Sequence, residues 1–216
     1  MSERTTRAPR VIAVTGNMGA GKSSLVAWLE QQLGMVPFFE PHDENPYLED
    51  FYADMQRWAL SSQLFFLIRR FRIHKDIEVR ARAEGRDIVQ DRTLYEDAEI
   101  FATHLQAAGH LVGRDWEMYQ DLYRTLRREI RPPDLMIYLR CSVPVLVKRI
   151  KRRGRSFEQS LPRSYLAKLH DLYEAWFARY DDSETIVIDT DKVDYLEDLF
   201  DRHDLLARLR RAPEGR

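Results

Sequence analysis

The sequence has little of several features that mark particular classes of protein. It has one cysteine, Cys141, so no disulfide can form within the chain and a reducing compartment is expected. Its apolar runs are short, and residues 64–68 (LFFLI) are among the longest, whereas a membrane-spanning helix needs about 20 apolar residues. Residues 1–10 are polar and lack the apolar stretch of a signal peptide. We therefore expect a cytoplasmic protein that does not enter a membrane.

Net charge is also nearly absent. The chain has 34 lysines and arginines against 35 aspartates and glutamates, which gives a formal net charge of −1. A general nucleic-acid binder usually has a marked basic excess. Nucleic acid is therefore not expected as a partner.

What is present is the composition of a globular protein. Hydrophobic residues make up 44% of the chain and charged residues 32%. A chain of 216 residues can bury one sizeable core. We expect a single domain over residues 1–216, with flexible tails at about 1–9 and 212–216.

Short apolar runs alternate with helical patterns along the chain, which predicts an α/β fold with a five-stranded parallel sheet flanked by helices. The predicted strands are residues 11–15, 35–39, 87–90, 135–139 and 185–188. The predicted helices are residues 22–33, 57–83, 94–108, 115–130, 143–153 and 163–181, with a last one near 195–211. Because ligands of such folds bind beyond the carboxyl ends of the strands, the residues at those ends are the first site candidates.

A phosphate-binding loop follows the first predicted strand. Its residues match the pattern G-x-x-x-x-G-K-[ST] and are Gly16, Asn17, Met18, Gly19, Ala20, Gly21, Lys22 and Ser23, with Ser24 next. The glycines let backbone N–H groups turn towards phosphate oxygens, and the following helix adds the positive end of its dipole. We expect Lys22 to reach the β- and γ-phosphates of ATP and the Ser23 hydroxyl to bind Mg²⁺. The pattern predicts a P-loop NTPase fold.

Two polar pairs at strand ends favour phosphoryl transfer to a hydroxyl group. Glu40-Pro41 follows the second predicted strand, and Asp91-Arg92 follows the third. Glu40 is our candidate for the base that takes the proton of the acceptor. Asp91 is expected to hold Mg²⁺ or a water bound to it, and Arg92 to orient the acceptor and stabilise developing charge. A GTPase is disfavoured because no Asp has a Gly three residues later, as the D-x-x-G switch motif requires.

A basic stretch, residues 148–155 (KRIKRRGR), has three interpretations. Such a run is most often a solvated helix face, and a nucleic-acid patch is the second possibility. The third is a short, mobile, arginine-rich lid that brings positive charge onto the transferring phosphate. The phosphate loop favours the lid.

Taken together, these motifs resemble the deoxynucleoside kinases, a family that includes deoxycytidine, deoxyguanosine and bacterial deoxyadenosine kinases. GNMGAGKS is similar to the family's phosphate loop, Glu40-Pro41 to its E-P pair, and Asp91-Arg92-Thr93 to its D/E-R-S signature. The resemblance implies that Glu40 is the base acting on the 5′-hydroxyl of a deoxynucleoside. It also implies that Tyr52 and Glu158 contact the sugar 3′-hydroxyl and that Arg149, Arg153 and Arg155 contact phosphate. The family is typically dimeric, which implies a homodimer here.

Recognition of the base is expected from the long helix. Gln63 and Arg70 are two helical turns apart and so lie on one face, and Asp97 is the expected partner of Arg70. In the family an Arg and an Asp at these places accompany purine or cytosine recognition. Four aromatic residues are candidates to stack on the base: Phe38, Trp58, Phe66 and Phe101. Deoxyadenosine or deoxyguanosine is our first choice of substrate, with deoxycytidine possible.

Two alternatives stay open. Thymidylate kinase also has a P-loop with E-P and D-R pairs, but it is expected to have an Arg before E-P and glycines after it, and Phe38-Phe39-Glu40-Pro41-His42 has neither. A monophosphate acceptor would need additional cations. A non-catalytic nucleotide-binding regulator would need only the phosphate loop.

Overall fold

The computed structural model describes residues 8–39, 44–155, 158, 161–191, 203 and 205–209. Of the predicted flexible tails, residues 1–7 and 212–216 therefore lie outside the described residues, as do residues 192–202 of the region where the last helix begins. Residues 203 and 205–209 are helical, as predicted. In the described part of the chain, no helix has the length and apolar character needed to span a bilayer.

The predicted sheet is confirmed. Five strands lie parallel in the order β2-β3-β1-β4-β5. Their bounds are β1 Val11–Thr15, β2 Val36–Phe38, β3 Ile88–Asp91, β4 Leu135–Arg140 and β5 Glu184–Asp189. β2 and β3 lie on one side of β1, and β4 and β5 lie on the other, so the connections along the chain change direction at β1. In open α/β sheets the crevice at such a point receives ligands. The phosphate loop follows β1 directly.

Helices cover both faces of this sheet. Their bounds are α1 Lys22–Leu33, α2 Leu48–Ala53, α3 Met55–Glu84, α4 Leu94–Glu96, α5 Thr103–Ala107, α6 Arg114–Arg128, α7 Val143–Arg153 and α8 Arg163–Phe177. The short α2 was not predicted, and α3 begins earlier than expected because the Asp54 side chain accepts a hydrogen bond from the Arg57 N–H and caps it.

The predicted helix over residues 94–108 is interrupted. Between α4 and α5 the segment Asp97–Ala102 is a π-helix. The carbonyl of Ala98 accepts from the backbone N–H of Thr103 across the wider turn, and the Thr103 hydroxyl donates to the same carbonyl at 2.8 Å. Side chains of the π-helix therefore point in directions that a regular helical period does not predict.

Apolar side chains form a core on each face of the sheet. One cluster includes Ala13, Met136 and Tyr138 and extends to Leu67 and Tyr173. The other includes Ile12, Val14 and Ile137 and packs against Leu25 and Leu29 of α1. Because β-strand side chains alternate between faces, β1 and β4 contribute to both clusters, and the end of β1 is held rigidly between them.

Candidate functional site

The phosphate loop takes its shape from glycine at a crowded position. Gly16 has φ +146°, and a Cβ built there would lie 2.8 Å from the carbonyl oxygen of Leu139. Lys22, at the start of α1, donates from Nζ to the carbonyls of Gly16 at 2.9 Å and Asn17 at 3.1 Å. The lysine therefore folds back over its own loop and closes it.

Asn17 anchors the loop to the body of the protein. Its side-chain amide donates to the carbonyl of Leu166 in α8 at 3.1 Å and accepts from the Met18 N–H at 2.8 Å. Asn17 is buried, so it holds the loop in place through contacts within the protein.

Ser23 and Asp91 meet at the ends of α1 and β3. The Ser23 hydroxyl donates to Asp91 Oδ2 at 2.5 Å. The other carboxylate oxygen of Asp91 is buried and makes no hydrogen bond to any residue that the structure describes. A hydroxyl and a carboxylate beside a phosphate loop fit Mg²⁺, which is usually held by one or two carboxylates together with phosphate oxygens. No larger cluster of acidic, histidine and cysteine side chains suited to a metal occurs within the described ranges.

Arg92 has an unusual backbone conformation. It is the one non-glycine residue with positive φ in the described chain, at +69°. Its N–H donates to the Val14 carbonyl at 2.9 Å, and its guanidinium carbon lies 4.6 Å from the centre of the Phe101 ring. A left-handed conformation costs a non-glycine residue roughly 1–3 kcal/mol and is often found at functional sites. The turn directs the Arg92 side chain into the same cavity as the phosphate loop.

One cavity of about 480 Å³ joins most of the predicted site, a volume typical of small-molecule sites. The predicted residues that line it are Met18, Gly19, Ala20, Gly21, Lys22, Ser23, Ser24, Tyr52, Gln63, Phe66, Arg92, Asp97, Arg149, Arg153, Arg155 and Glu158. Gly16 and Asn17 lie at the base of the phosphate loop, and Asp91 lies beside Ser23. Glu40, the predicted base, lies outside the described residues.

The three residues predicted to recognise the base are all buried. Gln63 is 4% exposed and lines the cavity. Arg70 does not line it but donates from Nε to Asp97 Oδ2 at 2.7 Å, and both side chains are at least 96% buried. Asp97, at the start of the π-helix, therefore presents a paired carboxylate to the cavity.

Of the four aromatic residues predicted to stack on a base, Phe66 and Phe101 line the cavity. Phe38 and Trp58 do not, so for these two the structure disagrees with the prediction. The Phe38 ring lies under the Arg80 guanidinium, and Trp58 stacks on Tyr47 at 5.7 Å. Each contacts another side chain of the protein, and the sequence pattern did not indicate these contacts.

The arginines of the predicted lid are already paired. Arg153 donates to both oxygens of Glu158, at 2.5 and 2.6 Å from Nη2, and Arg155 Nη1 lies 3.7 Å from Glu158 Oε1. The Glu158 side chain is 3% exposed, whereas that of Arg153 is 36% exposed. Arg153 and Arg155, which are predicted to bind phosphate, therefore both contact Glu158, which is predicted to bind the sugar.

Arg149 is engaged closer to the sheet. Its guanidinium donates to the Ala20 carbonyl of the phosphate loop at 3.2 Å and to the Thr190 carbonyl at 2.8 Å, beyond the end of β5. It also lies 3.4 Å from the sulfur of Cys141, whose pKa is raised to about 11 by burial. Arg149 therefore joins the phosphate loop to the end of β5.

Two buried residues beside the site were missed. Glu96 is fully buried and accepts hydrogen bonds from Thr15 and Thr93, and burial raises its pKa although Arg92 and the threonines act in the opposite direction. The spacing Thr93-x-x-Glu96 is that of a helix capping box, a signal that could have found it. His74 of α3 accepts a hydrogen bond from the Leu94 N–H at 3.3 Å, and no sequence pattern indicates it.

Comparisons with known proteins agree on one family. The family model described as deoxynucleoside kinase matches residues 12–212. The chain is 35% identical to a deoxyguanosine kinase of Lactobacillus acidophilus, over 92% of this chain and 89% of that protein. It is 35% identical to a deoxyadenosine/deoxycytidine kinase of Bacillus subtilis, over 87% and 86% of the two chains. Among solved structures, deoxyadenosine kinase from M. mycoides with bound dATP superimposes with a TM-score of 0.80 at 31% identity, covering 93% of this chain and 99% of that one.

Proposed function

Because this chain belongs to the deoxynucleoside kinase family, we propose that it transfers the γ-phosphate of ATP to the 5′-hydroxyl of a purine deoxynucleoside in nucleotide salvage. The observation that carries the proposal is the single cavity lined both by the phosphate loop and by buried polar groups suited to a base, Gln63 and Asp97. A donor and an acceptor can therefore lie end to end within it.

The donor end is formed by the phosphate loop and the arginines around it. Lys22 is placed to exchange the loop carbonyls that it now contacts for the β- and γ-phosphates. Ser23 and Asp91 would hold Mg²⁺, which when bound neutralises charge on those phosphates. Arg92, Arg153 and Arg155 line the same cavity and would stabilise the charge of the transferring group.

The acceptor end offers hydrogen bonds to both sugar and base. Tyr52 and Glu158 line it and are the proposed partners of the 3′-hydroxyl, with Glu40 as the proposed base on the 5′-hydroxyl. A carboxylate such as Asp97 accepts hydrogen bonds from the exocyclic amino groups of guanine, adenine and cytosine. Thymine has no amino group, so it is disfavoured.

The size of the cavity and its apolar lining favour a purine. Besides Phe66 and Phe101, the apolar or aromatic residues of the lining include Leu48, Phe51, Leu105 and Tyr165. We further propose that residues 1–216 act as one domain, that the protein works in the cytoplasm and that it forms a homodimer.

A panel of four deoxynucleosides tests the proposal directly. The purified protein is incubated with ATP, Mg²⁺ and each deoxynucleoside, and the products are separated by chromatography. We expect the 5′-monophosphates of deoxyguanosine or deoxyadenosine to form fastest, deoxycytidine monophosphate more slowly and thymidine monophosphate slowest. Failure to phosphorylate any of the four would contradict the proposal and leave thymidylate kinase and a non-catalytic nucleotide-binding regulator as the alternatives.

A fifth reaction contains thymidine monophosphate as the acceptor. We expect no thymidine diphosphate, because every lysine and arginine of the described lining belongs to the phosphate loop, to the Arg92 turn or to the predicted lid, which leaves none for a phosphate group on the acceptor. Efficient formation of the diphosphate would favour a thymidylate kinase instead.

A further inference from the structure

Glu96 makes more hydrogen bonds than a helix cap needs. A capping box at the start of α4 requires the Glu96 carboxylate to accept from the Thr93 N–H, and this distance is 2.6 Å. The carboxylate also accepts from the Thr93 hydroxyl at 2.5 Å and, through its other oxygen, from the Thr15 hydroxyl at 2.7 Å. The bond to Thr15 spans 81 residues and contributes nothing to the cap.

These contacts occur where two strands separate. The parallel ladder between β1 and β3 ends with Val14 opposite Asp91, followed by the bond from the Arg92 N–H to the Val14 carbonyl. Beyond that point β1 turns into the phosphate loop at Gly16, and β3 turns into the left-handed conformation of Arg92. In the described structure, no ladder hydrogen bond joins the segments that follow β1 and β3 beyond the one from Arg92. Glu96 continues the connection with its side chain.

Each threonine is next to a residue of the proposed transfer site. Thr15 immediately precedes Gly16 of the phosphate loop, and Thr93 immediately follows Arg92. Thr15, Thr93 and Glu96 are all 0% exposed, so water cannot substitute for their hydrogen bonds. We propose that Glu96 is a positioning residue for the phosphoryl transfer proposed above, because it fixes the distance between the phosphate loop and Arg92 through Thr15 and Thr93.

The substitution Thr15→Val tests this step without disturbing the cap, since it removes only the hydroxyl that links Glu96 to β1. Misplacing a reacting group by about 1 Å can cost up to about 100-fold in rate, so we expect kcat to fall about tenfold or more. The KM for ATP should stay within about twofold, because the phosphate loop itself is unchanged. Thr93→Ser, which keeps both the N–H and a hydroxyl, is the matched variant expected to retain activity.

Glu96→Gln is a second test of the link between Glu96 and Thr15. It keeps the size of the side chain but replaces an oxygen that accepts a bond with an NH₂ group, so we expect a loss of kcat similar to that of Thr15→Val. The double variant Thr15→Val with Glu96→Gln should be no more than about twofold slower than the slower single variant, because both remove the same link. Glu99→Gln, three residues further along the chain, is the control, because its partly buried carboxylate contacts Arg179 and Tyr123 and bonds neither threonine.

The outcomes separate positioning from stability. A fall in kcat for Thr15→Val with a melting temperature near that of the wild type supports the proposal. A kcat within about twofold of wild type in Thr15→Val overturns it, even if Glu96→Gln lowers the melting temperature or fails to fold, because Glu96 would then be a cap only. A wild-type protein inactive on every deoxynucleoside would instead contradict the proposed function, so the two failures are distinguishable.

Discussion

Glu40 and Asp91 are the two carboxylates predicted near the ends of β2 and β3, and the structure describes Asp91 as the last residue of β3. Asp91 is bonded to Ser23, a contact suited to metal binding, which leaves Glu40 as the proposed base. We expect Glu40→Gln to fold normally and to lower kcat by at least about 100-fold, the usual scale for loss of a general base. Steady-state rates with deoxyguanosine and ATP measure this. Glu49→Gln, at an exposed position of α2, should leave the rate unchanged. Near-normal turnover by Glu40→Gln would contradict the assignment of Glu40 as the base.

At the residue scale, the buried pair of Arg70 and Asp97 is the proposed determinant of base preference. Removing one partner alone leaves a buried unpaired charge and costs about 3–5 kcal/mol, so both should be replaced together. We expect Arg70→Met with Asp97→Ala to raise kcat/KM for thymidine relative to deoxyguanosine by at least about tenfold. The exposed Arg72→Met is the matched control on the same helix. An unchanged ratio of the two substrates would refute the role of the pair.

At the scale of elements, α3 is tied to β3 and α4 through His74. Burial, assisted by the positive charges of Arg70 and Lys75, lowers the pKa of His74 from 6.5 to about 3. In this folded environment the ring is neutral, and Nε2 lies 3.4 Å from the Gln90 amide nitrogen as well as accepting from Leu94. His74 therefore takes up a proton at a higher pH in the unfolded chain than in the folded protein.

The sign of the pH dependence follows from that difference. The contribution of His74 to stability is complete above pH 6.5 and is lost progressively as the pH falls towards about 3. Between about pH 7 and pH 5 the loss is about 2 kcal/mol. Denaturant titrations should show this loss in the wild type and a flatter profile in His74→Gln, whereas the exposed His203→Gln should behave as the wild type. Equal profiles of stability against pH for His74→Gln and wild type would contradict this contribution of His74.

The elements themselves could largely be predicted from the sequence. Five continuous apolar runs gave the strands because a sheet covered on both faces needs apolar side chains in both directions. The π-helix and the left-handed Arg92 could not be predicted, since each depends on contacts between residues distant in the chain, such as Val14 with Arg92. Motif spacing located Lys22, Ser23 and Gln63 in the cavity, whereas Arg149 and Glu158 have partners that only the folded chain brings near.

At the scale of the whole molecule, α3 and α6 expose apolar residues on neighbouring surfaces. Ile68 and Val79 are 41% and 67% exposed and lie about three turns apart on α3, and Met118 of α6 is 49% exposed. We expect this surface to form the proposed homodimer. Ile68→Glu with Val79→Glu should give a monomer in sedimentation experiments. Val112→Glu makes the same change at a comparable exposure of 50% outside these helices and should remain dimeric. A monomeric wild type would contradict the dimer.

The pairing of Arg153 and Arg155 with Glu158 has a consequence for how ATP is used. If Glu158 binds the sugar 3′-hydroxyl as proposed, an arriving deoxynucleoside would share with the two arginines the carboxylate that now holds them. On that proposal, the arginines would be drawn to Glu158 while the acceptor is absent and would turn towards the phosphates of ATP once it binds. Hydrolysis of ATP by water would then be slow without a deoxynucleoside, because the positive charges reach the donor only together with the acceptor.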